Sequence, residues 1–149
     1  MKIIALALLA STLGSIGAVG VSSAAATNAP VRLTFEKTIA DPAAGVWEGT
    51  TGGDVNGTLR TELRSLTVTG SIWHVTFDWI VTAGERSFTA RLSGVLNTAT
   101  GGVVMNGTVV EGWLEGAQVH EAGRLLDPDS LHFVGSIRLM PATAGSSTD

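Results

Sequence analysis

The chain has 149 residues, no cysteine and a formal charge of −4. Removing an N-terminal leader leaves about 123 residues (149 less 26), the size of one domain and too few for two domains or a large α/β barrel. The lack of cysteine excludes disulfides, thiolate metal sites and a cysteine nucleophile, and an acidic chain without a basic run excludes ordinary nucleic-acid binding.

Residues 1–26 read as a secretory signal peptide. Lys2 supplies the positive start and Ile3 to Ala10 the apolar stretch. Ala24-Ala25-Ala26 fits cleavage before Thr27, and Ser22-Ser23-Ala24 fits a cut two residues earlier. Ser11, Thr12, Gly14, Ser15, Gly17 and Gly20 dilute the run below what a retained membrane anchor needs. The expected location is therefore extracellular or periplasmic, with no stable membrane insertion after cleavage.

From residue 27 to 140 the pattern is strand-like. Val31, Leu33 and Phe35 alternate with Arg32, Thr34 and Glu36. Alternation of this kind marks strands with one buried face. A short candidate lies at Val46–Gly49, and Val55 to Leu63 alternates again. Trp73, Val75, Phe77, Trp79 and Val81 share one face. Phe88 to Leu96 and Val103 to Val109 follow, then a candidate at Ala117–Leu126 and a clear run from Leu131 to Leu139. Turn signals fall at Asp41-Pro42, Thr51 to Asp54, Ala83 to Glu85, Asn97 to Gly102 and Asp127 to Asp129. Residues 141–149 read as a disordered tail.

Seven or eight short strands with short links predict an all-β fold, an antiparallel meander, sandwich or barrel. A recurring apolar-x-Gly-x-apolar unit favours the closed barrel of about eight strands. Its glycines are Gly57, Gly94, Gly107 and Gly135, all on the apolar parity. Strongly coiled sheets bend at such positions. Asn56-Gly57-Thr58 and Asn106-Gly107-Thr108 are also glycosylation sequons, read here as ordinary strand residues.

Motifs for a serine nucleophile elbow, a phosphate loop and a calcium loop are missing. His120-Glu121 lacks the second histidine of a zinc protease, and His74 and His132 lie on polar parities. No cofactor or metal is expected. Lys37 is the only lysine after Lys2, and that uniqueness is the sole support for a Schiff-base role. Trp73, Phe77 and Trp79 would line one wall of the interior, either as plain core or as a ligand wall, with Trp47 and Trp113 on other segments. Glu111 is the candidate catalytic acid or polar anchor. It points inward if the parity of Val103 to Val109 continues, and outward if the strand bulges at Val110. Glu48 is a secondary ligand-binding candidate, with Glu115, His120 and Glu121 beside it. Asp78 lies on the polar parity and would pair with Arg60, Arg64 or Arg91.

The stretch from Trp73 to Leu139 resembles secreted barrels of the allene oxide cyclase and dirigent type. The carrying residues are Ser93-Gly94-Val95-Leu96, Thr100-Gly101-Gly102, Asn106 to Val109, Glu111 to Ala117 and Phe133-x-Gly135-x-Ile137-x-Leu139. The resemblance implies an eight-stranded antiparallel barrel that oligomerises and holds a guest in an apolar cavity, in some members steering its ring closure. Gly45-Val46-Trp47 looks like the opening of the lipocalin and biotin-binding (calycin) barrels. Three functions fit these readings. One is a barrel that binds a small apolar or ring-containing molecule. Another is a cyclase or isomerase. The last is an extracellular interaction protein with a filled core. Polar faces rich in Thr and Ser would suit a homodimer or homotrimer.

Overall fold

The computed structural model describes residues 28–143. The expected signal peptide and most of the expected tail lie outside them. Eight strands appear in order: β1 (Val31–Asp41), β2 (Val46–Gly53), β3 (Gly57–Thr69), β4 (Ile72–Thr82), β5 (Phe88–Asn97), β6 (Gly102–Gly112), β7 (Gln118–Asp127) and β8 (His132–Met140). Each pairs antiparallel with its chain neighbour, and β8 returns to β1 from Val31↔Leu139 to Lys37↔Phe133. The expected all-β closed barrel is the fold. Closure removes every free sheet edge, which answers how a chain without disulfides protects its strands.

Residues of one parity turn inward and bury Leu33, Leu59, Trp79, Leu92, Met105 and Ile137 almost completely. Trp79 packs edge-on against Phe35 with ring centroids 4.9 Å apart, and Trp47 packs likewise against Phe77 at 5.3 Å. Such contacts add roughly 0.5–1.5 kcal/mol each beyond burial. The outer face is polar, with Arg60, Glu62, Arg64 and Arg91 joined in ion pairs. Of the described residues, no helix is long and apolar enough to cross a membrane.

The inward glycines have a steric cause. A Cβ at Gly107 would strike the carbonyl of Arg91 on β5, so only glycine lets the two strands approach there. At Gly135 a Cβ would meet the backbone of β7 and stand 2.8 Å from the Phe35 ring, which covers the bare backbone of this strand.

Four registers slip by one residue, leaving Ala40, Arg64, Val110 and Leu126 as extra residues in their strands. Such bulges bend strands at barrel rims. The bulge at Arg64 moves the inward parity of β3 from Leu63 to Leu66 and Val68, which pair with Val75 and Trp73. β3 thereby runs on to Thr69 and turns at Gly70, a hairpin that the turn signals in the sequence do not mark.

The poles differ. At one, Val55 and Ala117 tuck into the core from turns, 2% and 0% exposed, and seal the barrel. At the other, between the β1–β2, β3–β4, β5–β6 and β7–β8 turns, the interior stays open.

Candidate functional site

The open pole leads into a cavity of about 50 Å³. Its walls are apolar, with Trp47, Phe77 and Met105 among them and Leu66, Trp73 and Leu131 toward the rim. The rim is partly in solvent, since Leu66 is 44% exposed. Trp47 Nε1 donates to the Leu131 carbonyl at 3.2 Å and ties β2 to the β7–β8 turn. Leu131 holds a left-handed backbone (φ 46°), a strained choice for a branched side chain at the edge of an opening.

Two charged groups reach this cavity, Lys37 from β1 and Glu121 from β7. Both follow from parity. Lys37 is the next inward step after Leu33 and Phe35, and Glu121 lies between the inward Val119 and Gly123. Lys37 is 4% exposed and Glu121 1%. Lys37 Nζ lies 4.0 Å from the Trp79 ring centroid and 5.1 Å from that of Phe77, with Phe35 and Phe133 also within 6 Å. An ammonium cupped by aromatic faces recovers part of its lost hydration, about 2 kcal/mol for a desolvated contact. Its hydrogen bond is a long one, 3.5 Å to Thr61 Oγ1. Glu121 Oε2 is buried with no hydrogen-bond partner.

Burial dominates the ionisation of both. It pulls the Lys37 amine down to about 8 against the opposing pull of the Glu121 charge. It pushes the Glu121 carboxyl up to about 7, again resisted by its partner. Two groups of opposite type are thus poised near neutral pH, the condition for moving a proton within a dry site.

The sequence candidates divide. Trp73, Phe77 and Trp47 are cavity wall, and Trp79 is fully buried beneath Lys37. Trp113 stands at the sealed pole, half-buried, with the Arg86 guanidinium 5.5 Å from its ring. Glu48 is exposed on the outer face and pairs with Arg60 at 3.1 Å. Glu111 also faces out, a correction to the inward alternative. Val110 is the extra residue, so Glu111 pairs with the outward Thr89 and is exposed. Glu115 is exposed in the β6–β7 turn. The inward carboxyl sought at Glu111 is found at Glu121, and Lys37, which the parity of β1 also turns inward, lines the same cavity.

The outer charges have a different job. Asp78 accepts two hydrogen bonds from Arg91, at 2.7 and 3.0 Å, and one from the bulged Arg64 at 2.7 Å. His120 bonds Asn106 and His132 bonds Glu36, each at 2.7 Å, on the outer surface. Among the described residues no group of three or more His, Asp or Glu could hold a metal ion.

No protein-family model, curated protein or solved structure matches the chain.

Proposed function

We propose that this is an exported binding barrel for a small apolar molecule carrying one oxygen-containing head group. The observation that carries the reading is the Lys37–Glu121 pair at the floor of an otherwise apolar cavity. Burying an ammonium and a carboxylate costs several kcal/mol per ion unless they are well hydrogen-bonded. Here one carboxylate oxygen has no partner and the amine has a single long bond. A carbonyl or hydroxyl oxygen entering from the mouth would accept from Lys37 and receive or offer a proton at Glu121. An engineered apolar cavity of about 150 Å³ holds a benzene ring. The enclosed 50 Å³ therefore suits a head group, with the apolar tail or ring lying between Leu66, Trp73 and Leu131.

A second reading is a cyclase or isomerase of the allene oxide cyclase type. Glu121 favours it, because a carboxyl held near neutral pH in a dry, shaped cavity is a general acid beside an oriented guest. Kinship with the allene oxide cyclase and dirigent barrels is part of this proposal, supported by strand number and the inward glycines.

Tryptophan emission during titration with trans-cinnamyl alcohol and with its hydrocarbon counterpart, β-methylstyrene, tests the binding reading. Saturable quenching at micromolar alcohol, weaker by tenfold or more for the hydrocarbon, is the expected result. No saturation with either would mean a filled core and sink the binding reading. A guest recovered altered, with the change lost in Glu121→Gln, would favour the isomerase.

A further inference from the structure

Among the described residues, Lys37 and Glu121 are the only ionisable side chains that are buried and face inward, since Asp78 turns out toward Arg64 and Arg91. The amine stands on β1 at the floor of a cavity whose entrance is apolar and open. Aromatic rings shield it below, it forms no ion pair among the described residues, and the charge of Glu121 offsets only part of its burial. That combination is more than an anchor for an oxygen atom requires. It is the setting of a nucleophilic amine with an acid at hand.

We propose that Lys37 captures the carbonyl carbon of an apolar aldehyde or ketone as an imine, with Glu121 moving the protons. The inference rests on the reading of the cavity as a binding site and names the substrate class. The neutral amine attacks, a C–N bond forms, and the carbonyl oxygen takes the proton of the Glu121 carboxyl. The nitrogen then returns a proton to the Glu121 carboxylate. Glu121 gives that proton to the hydroxyl, which leaves as water while the C=N bond forms. The products are a protonated imine, a Glu121 carboxylate in the same cavity as counter-charge, and one water that exits through the mouth. No oxidant or reductant takes part.

The ionisation of the two groups supports the sequence of steps. At pH 7 an amine titrating near 8 is neutral in about one molecule in ten, against about one in three thousand for an ordinary lysine. At the same pH the Glu121 carboxyl is protonated in about half the molecules. Above pH 7 the acid is lost, and below pH 8 the neutral amine is lost. Imine formation should therefore peak between pH 7 and 8.

The experiment incubates the purified protein with trans-cinnamaldehyde and cyanoborohydride, followed by intact mass and peptide mapping. Lys37 and Lys2 are the only lysines, so the map separates Lys37 from every other amine. The expected result is one saturable adduct on Lys37, with its rate greatest at pH 7–8 and suppressed by excess cinnamyl alcohol. In urea the preference for Lys37 over the terminal amine should vanish. Glu121→Gln should slow trapping at least tenfold, and by more than it weakens quenching by cinnamyl alcohol. Quenching by cinnamyl alcohol without any Lys37 adduct would overturn the imine and leave the binding barrel standing. Neither quenching nor adduct would overturn both. An adduct that forms equally fast in urea, or is indifferent to cinnamyl alcohol, would also overturn the proposal, since the cavity would then contribute nothing.

Discussion

Glu121 and Asp78 are both nearly dry, at 1% and 4% exposure, yet their protonation equilibria move in opposite directions. Hydrogen bonds from Arg91, then Arg64, hold the Asp78 carboxyl below its ordinary range. Burial pushes the Glu121 carboxyl up to about 7, because nothing donates to it. Coverage by itself does not set the direction. What matters is whether the cover consists of donors or of hydrocarbon. The outer carboxylate is covered by two guanidiniums whose other sides stay in water, so its charge is welcome. The inner one is flanked across the sheet by Met105 and Ile137, so its proton is. The outer cluster has its hydrogen bonds made, while the inner pair is left with one carboxylate oxygen unpartnered.

That contrast can be broken experimentally. The largest effect should come from Lys37→Met with Glu121→Met. Replacing a buried charged pair by apolar groups of similar volume is stabilising by about 1–4 kcal/mol when the pair is not structural. A higher urea midpoint at pH 7.5, together with lost quenching by cinnamyl alcohol, is the expected outcome. A less stable double variant would make the pair part of the framework.

The pH dependence of the wild type is next. Glu121 titrates higher in the folded state, so its contribution is present below about pH 4.5 and is lost as pH rises through about 7. The loss is about 3 kcal/mol at most. Asp78 titrates lower in the folded state, so its contribution is present above about pH 4 and disappears as pH falls through its depressed value. Urea midpoints from pH 3 to 7.5 should thus decline on both sides of a maximum near pH 4–5. Glu121→Gln should flatten the neutral side alone. Equal flattening by Asp78→Asn would erase the distinction between the two carboxylates.

Asp78→Ala should cost about 2 kcal/mol, reduced from the value for a fully buried pair because both arginines can turn into solvent. It should leave cinnamyl alcohol binding unchanged. Smallest of all, Glu48→Gln should change the midpoint by no more than about 0.5 kcal/mol, since both partners of the Glu48–Arg60 pair are about half exposed.

The barrel was legible in the sequence because alternation records which face is buried, and β4, β5 and β8 keep one parity from end to end. The bulges were not. A bulge adds one residue with no composition of its own, and everything beyond it changes face. Val110 does this to Glu111, and Arg64 does it to Leu66 and Val68. Lys37 was readable in principle, as one more step of the Leu33–Phe35 alternation. A charge in that position reads most easily as the end of the buried stretch. Glu121 was harder, because Ala122, Gly123 and Arg124 give β7 little contrast between its faces. Neither residue shows the other in the sequence, since they reach one cavity only when β7 and β1 close on either side of β8.

Closure of the ring by β1 and β8 also fixes where the molecule can be held. Val31 and Leu139 stand side by side, at the pole away from the cavity. Anything joined to the chain before the first strand or after the last, whether a resin, a sensor chip or a neighbouring domain, departs from the sealed pole. A protein immobilised by either end keeps its mouth toward the solution. Linking the two ends and reopening the chain at the Gly70 turn would give a rearranged chain tethered beside its own entrance instead.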